Sequence, residues 1–215
     1  MIYSEQELAD HNRTVYDALA DDYERKAEWR LDDHEDGVNR LTKFLTPGNK
    51  VLNLACAVGL DAHWFHKQGY EVTGVDIAPR MLEHAQKRVP EATFCADNFL
   101  SMDFGNEKFD AAFAWAFIHL FPGEQADHVI QKLHKVLKVG GYALLSTTKS
   151  TAPSEGWLAK GDYRGGETVE RYRRHWTPDE LGVSLESNGF TVSEYSERVF
   201  TDKHFMVFVA QTNEA

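Results

Sequence analysis

The stretch Val51–Leu60, VLNLACAVGL, begins as an apolar run and ends in small residues closed by a glycine. A short apolar run that enters such a turn reads as a buried strand leading into a loop. Loops of this shape let the backbone approach a bound molecule closely, because glycine carries no Cβ to intervene. Here Ala55 and Ala57 stand where glycines are usual. What their methyl groups would collide with decides what the loop can hold.

Working outward, the pattern alternates. DAHWFHKQG reads as a helix closed by Gly69, YEVTGVD as a strand, APRMLEHAQKR as a helix, and ATFCAD and FDAAFAWAF as strands. QADHVIQKLHKVLKVGG then reads as a helix through Gly141, followed by the strand YALLSTT. Strands alternating with helices imply right-handed crossovers and a parallel sheet. Before this core, Glu5–Leu45 is helical in character, with Val15, Leu19, Tyr23 and Trp29 at three- and four-residue spacings, until Thr46-Pro47-Gly48 ends it. After it, Ser150–Trp176 is too long and too glycine-rich for an ordinary crossover, which points to a lid or acceptor insertion. Thr177 as cap, Pro178 at the first helical position and Glu180 three residues after the cap open a further helix that ends at Gly189. FTVSEYSERVF and HFMVFVAQT, joined by Thr201-Asp202-Lys203, read as an antiparallel hairpin. We expect one domain over residues 1–215: a helical cap (1–47), a cofactor-binding core (48–148), the lid insertion (149–176), and a C-terminal helix and hairpin (177–215).

The chain of 215 residues, 42% hydrophobic and 27% charged, is long enough for a self-sufficient core. Cys56 and Cys95 lie in apolar strand-like runs and read as buried, reduced thiols. The N-terminus lacks the apolar segment of a signal peptide and no run approaches a membrane span, so the expected location is cytoplasmic. A net charge of -11 argues against a nucleic-acid partner and for small molecules. His63 and His66 share a helix face but lack an evident third ligand, so no metal is expected.

In an open parallel sheet, ligands sit beyond the carboxyl ends of the strands. A dinucleotide loop needs its second glycine to touch the pyrophosphate, and a methyl at Ala57 would crowd it. S-adenosylmethionine carries no phosphate and tolerates a Cβ there. VLNLACAVGLDA, VTGVDIAPRMLEHA, FCADNF, FDAAFAWAFIHLFP and LHKVLKVGGYALLS, in this order, resemble the class I S-adenosylmethionine-dependent methyltransferases, in particular their small-molecule branch. The N-terminal YDALADDYE is similar to the segment that folds over the cofactor in that branch. The resemblance implies a Rossmann-like, doubly wound, mostly parallel seven-stranded α/β sheet with a C-terminal antiparallel hairpin strand. It implies S-adenosylmethionine as cofactor, Asp76 on the ribose hydroxyls, Asp97 and Asn98 near the adenine, and Ala55, Cys56, Ala57 and Gly59 around the methionine end. Ile77, Met81, Ala114 and Trp115 complete the expected contacts, with Tyr16 and Tyr23 closing the site. Asn53 replaces the acid that the family carries there, which keeps hydrogen-bonding capacity and loses charge.

Methyl transfer is an in-line displacement at an activated carbon, so the protein mainly positions its reactants and adds a base where the nucleophile is protonated. His119 is the candidate base; its alternative is a core histidine. Trp115 is either an aromatic wall or core. Lys160, Arg164, Arg171, Arg173, Arg174 and His175, interleaved with Tyr163, Tyr172 and Trp176, form a basic segment in an acidic chain. It reads either as a mobile lid hinged at Gly165-Gly166 that captures an anionic acceptor, with Arg164, Arg171, Tyr172, Arg174 and His175 as contacts, or as a solvated loop. The expected function is methylation of a small molecule, an anionic one where the basic segment acts as a lid. The alternatives are a nucleic-acid (tRNA) methyltransferase, and a non-catalytic S-adenosylmethionine-binding protein.

Overall fold

The computed structural model describes residues 4–27, 31–163, 167–200 and 203–213. Seven strands form one sheet: β1 (Lys50–Leu54), β2 (Glu71–Asp76), β3 (Thr93–Ala96), β4 (Phe109–Trp115), β5 (Leu137–Thr148), β8 (Phe190–Phe200) and β9 (Lys203–Thr212). Their order is β3-β2-β1-β4-β5-β9-β8. The pairs from β3 through β5 are parallel, whereas β9 is antiparallel to both β5 and β8, so within this sheet β9 alone is reversed. Strand order turns back on itself beside β1 and β4, which sets the ligand crevice above their carboxyl ends.

Alternation along each strand builds two cores. Leu52, Leu54, Ala112, Ala114 and Leu145 face Val129, Ile130 and Leu133 of α5 (Gly123–Val136) and Leu181 and Leu185 of α6 (Pro178–Ser187). Val51, Ala111, Phe113 and Leu144 face Val38 and Leu41 of α2 (Leu31–Thr42) and Trp64 and Phe65 of α3 (Leu60–Lys67). Each fully buried aliphatic side chain in these layers contributes about 1.5–3 kcal/mol relative to exposure. The capping box at Thr177 and Glu180 is formed, each satisfying a backbone N–H of the other.

One expectation needs correction, and another gains detail. The helix expected to reach Gly141 stops at Val136, and LKVGG belongs to β5. Leu137 pairs with Phe109 and Tyr142 with Ala111, so a bulge takes up the intervening residues. Gly140 has φ +75° and a Cβ on Gly141 would lie 3.0 Å from the carbonyl oxygen of Asp110, so both glycines serve the bulge. The insertion, in turn, is regular structure: β6 (Ser154–Tyr163) and β7 (Glu167–His175) form an antiparallel hairpin with its own pairing. The proposed hinge Gly165-Gly166 and Trp29 lie outside the described residues.

α1 (Glu5–Ala27) lies along α4 (Pro79–Arg88) and is fixed there by polar contacts. Ala78, the cap residue of α4, has no side-chain cap, and Asp17 of α1 supplies it by accepting from the backbone N–H of Arg80 at 2.8 Å. Arg80 and His84 both reach Asp21, and Arg88 reaches Glu24 at 2.6 Å and the carbonyl of Val58 at 3.0 Å. Exposed ion pairs of this kind add little stability, but together they set the position of α1 over the crevice.

Candidate active site

The loop after β1 holds the shape that glycines would give it. Ala55 and Ala57 adopt φ +48° and +45°, a left-handed conformation that costs an alanine about 1–2 kcal/mol. The carboxylate of Asp76, at the end of β2, accepts from the backbone N–H of Ala57 through Oδ2 and of Ala78 through Oδ1, each at 2.9 Å. Burial pushes the Asp76 carboxyl up to about 6, against these backbone donors. Gly59 has φ +81°, and an added Cβ would meet Cα and Cβ of Ala85 at 3.0 Å. It lets the loop close against α4 and does not line the cavity.

Between the loop and α1 lies a cavity of about 230 Å³. α1 contributes Leu8, Asn12, Tyr16 and Tyr23; the strand ends contribute Ala55, Cys56, Ala57, Asp76, Ile77, Asp97, Asn98 and Trp115; and α4 contributes Met81. Asp97 accepts from the N–H of Asn98 at 2.7 Å, and Asn98 from the N–H of Leu100 at 3.1 Å, which shapes the turn after β3. Three expected cofactor contacts do not line the cavity: Asn53, Gly59 and Ala114. Ala114 is buried in the core beneath it. Asn53 of β1 is fully buried, with neither amide atom hydrogen-bonded among the described residues.

On the other side of the crevice, His119 sits in a 3-10 turn after β4, buried, with Nδ1 3.1 Å from Oγ1 of Thr147, and it lines the cavity. Trp115 stacks on Phe113 and on Phe205, with ring centroids 6.0 and 6.1 Å away. Gly37 of α2 makes room for that indole, since a Cβ there would come within 3.0 Å of it. Trp115 is thus wall and core at once.

The hairpin splits its basic residues by strand alternation. Arg171 and Arg173 face the cavity, and Arg171 donates to the phenol oxygen of Tyr16 at 3.1 Å. Burial, then Tyr23, raises the Tyr16 phenol to about 12, so that partner is neutral. Tyr172 and Arg174, expected as acceptor contacts, point to the opposite face. Tyr172 packs edge-on against Trp157, and Arg174 pairs with Glu155 and Glu180 and lies over the Trp176 ring at 4.4 Å. His175 lines an outer groove beside Lys149, Arg173 and His204. Arg164 lies outside the described residues. Sequence reasoning missed Asn12, His34, Asp61 and Phe205, all of which line the cavity, and left Arg173 out of the contact set. Arg173 was within reach: in a strand, the residue two places from Arg171 shares its face.

Residues 51–141 match the family model of a methyltransferase domain. An uncharacterized methyltransferase of Synechocystis sp. is 30% identical over 148 residues, covering 69% of this chain and 69% of that protein. The chain belongs to the class I S-adenosylmethionine-dependent methyltransferases. The methyltransferase is also 23% identical over 215 residues to the demethylmenaquinone methyltransferase of Thermotoga maritima, covering 85% of this chain and 89% of that one. Its fold matches that of the Burkholderia thailandensis 1,6-didemethyltoxoflavin-N1-methyltransferase, solved with its acceptor and S-adenosylhomocysteine, at a TM-score of 0.81 and 21% identity over 100% of this chain and 92% of that one. The cofactor is S-adenosylmethionine. The cavity fits it: a carboxylate has about four acceptor sites, and the backbone bonds to Asp76 leave others for ribose hydroxyls. Among the described residues, no helix is long and apolar enough to cross a membrane.

Proposed function

We propose that this small-molecule methyltransferase acts on an acceptor carrying a carboxylate or phosphate, held between His119 and the paired guanidinium groups of Arg171 and Arg173. The observation behind this is the pair itself. Two arginines of one strand face the cavity of a chain whose net charge is -11, and a guanidinium fork suits a planar anion. When bound, the cofactor supplies a methyl group on a positively charged sulfur. Around it, Asp76 receives the ribose, Asp97 and Asn98 border the adenine, and α1 with Tyr16 and Tyr23 keeps water out. An anionic acceptor also offsets the positive charge that the sulfonium and the two arginines bring together. His119, buried and hydrogen-bonded to Thr147, is placed to take a proton from the attacking atom.

The test is a panel of small carboxylated, phosphorylated and neutral nucleophiles assayed with S-adenosylmethionine at low and high salt. Anionic acceptors should be preferred, with a KM that rises with ionic strength. The Arg171→Gln/Arg173→Gln double variant should raise that KM about tenfold or more and leave S-adenosylhomocysteine affinity within twofold. Equal turnover of neutral acceptors by both proteins, with no salt effect, would remove the anionic acceptor from the account.

A further inference from the structure

Nδ1 of His34, on α2, lies 2.6 Å from Oδ1 of Asp61, in the first turn of α3, and both side chains border the cavity beside the β1 loop. Asp61 is 6% exposed, and a carboxylate so deeply buried needs compensation. His34 occupies one of its acceptor positions, and a carboxylate has about four. The cofactor's methionine end is a zwitterion, and its ammonium group bonds most strongly to an anionic acceptor.

The acids that line the cavity are Glu5, Asp61, Asp76 and Asp97. Glu5 lies at the start of α1 and pairs with His128 at 2.9 Å. Asp97 follows β3, two strands from the loop, and bonds the N–H of Asn98. Asp76 bonds the backbone of Ala57 and Ala78 at the end of β2. Asp61 alone of the four adjoins the β1 loop on the α2 and α3 side. Asn53, at the base of that loop, has a buried amide and brings no charge. Burial first, and then the charges of Asp76 and Asp61, push the Cys56 thiol up, so both acids act on the β1 loop.

We infer that Asp61 receives the α-ammonium group of the cofactor's methionine end, with His34 as the positioning residue that orients its carboxylate. This rests on the family's cofactor and on no assumption about the acceptor. With Oδ1 engaged by His34, Oδ2 is the acceptor left for the ammonium, so the amino-acid end is read by α2 and α3, not by the acid-free strand β1.

The experiment compares S-adenosylhomocysteine with 5'-methylthioadenosine, which has the same nucleoside and no amino-acid end, by calorimetric titration. Asp61→Asn keeps the shape and removes the charge. It should weaken S-adenosylhomocysteine by about tenfold to a hundredfold and leave methylthioadenosine within twofold. His34→Ala should reduce the same selectivity, and His34→Asn, which restores a donor, should recover part of it. In the unaltered protein, the deaminated analogue of S-adenosylhomocysteine should lose the same factor, a measurement that needs no variant to fold. Equal weakening of both nucleosides by Asp61→Asn, or full affinity for the deaminated analogue, overturns the assignment. If the unaltered protein binds neither nucleoside, it is the cofactor that fails.

Discussion

Asp76→Asn should make the protein more stable and a poorer binder of its cofactor. The carboxyl of Asp76 is raised from the ordinary 3.8 to about 6, first of all by burial. That rise corresponds to about 3 kcal/mol by which the ligand-free fold favours the neutral form over the charged one. The native state therefore holds a proton that the unfolded chain releases between about pH 4 and pH 6. This contribution to stability is full below pH 4 and is lost as the pH rises through 6. At pH 7.5 the amide removes the cost of the buried charge but satisfies only one of the two backbone N–H groups at Ala57 and Ala78. The lost bond returns about 1–2 kcal/mol. Urea unfolding at pH 7.5 should thus find the variant about 1–2 kcal/mol more stable than the unaltered protein. At pH 4.5, where the unaltered protein recovers about 2 kcal/mol, the advantage should vanish or reverse. S-adenosylhomocysteine affinity should fall about tenfold or more, and proton release on binding near pH 6, read from the buffer dependence of the binding heat, should disappear. A variant that is less stable by the same amount at both pH values would show that the loop's hydrogen bonds outweigh burial, and an unchanged affinity would leave Asp76 a purely structural acid.

His119→Gln keeps a partner for Thr147 and cannot accept a proton, so kcat should drop about a hundredfold while S-adenosylhomocysteine binds as before, with a smaller deficit at high pH where the acceptor ionises unaided. Full activity in that variant would make His119 a wall residue. The loop offers a contrast in stability. Gly59→Ala meets both a left-handed φ and the backbone of Ala85, and should lower the unfolding free energy by about 2–4 kcal/mol. Ala57→Gly relieves strain at φ +45° but frees the unfolded chain, so its effect should stay within about 0.5 kcal/mol. Denaturant midpoints of the two variants that shift alike would mean that the loop's conformation is not what holds these residues.

The alternation of strands and helices from Val51 to Thr148, the helix at Thr177 and the closing pair of strands were legible because each depends on local chemistry: apolar periodicity, capping residues, and glycines such as Gly69 and Gly189 that take positive φ at helix ends. Asp76 was legible for the same reason, as an acid at a strand end next to a recognisable loop. The bulge at Gly140-Gly141 was not, since only the register against β4 shows that LKVGG is strand; its helical periodicity runs on smoothly from α5.

The sequence by itself determined the alternation of strands and helices and the loop, because periodicity and short-range steric rules act within a few residues, and the order of its motifs, through their resemblance to a family, pointed to the cofactor. Tertiary structure decided which side chains share the cavity. Strand alternation on a hairpin that only folding forms turns Arg171 and Arg173 inward and sends Tyr172 and Arg174 outward to Trp157, Glu155 and Glu180. His34 and Asp61 meet across 27 positions, and Tyr16 and Arg171 across 155. No local pattern encodes such meetings, because the distance between residues far apart in the chain is set by how whole helices and strands pack, not by the residues next to them.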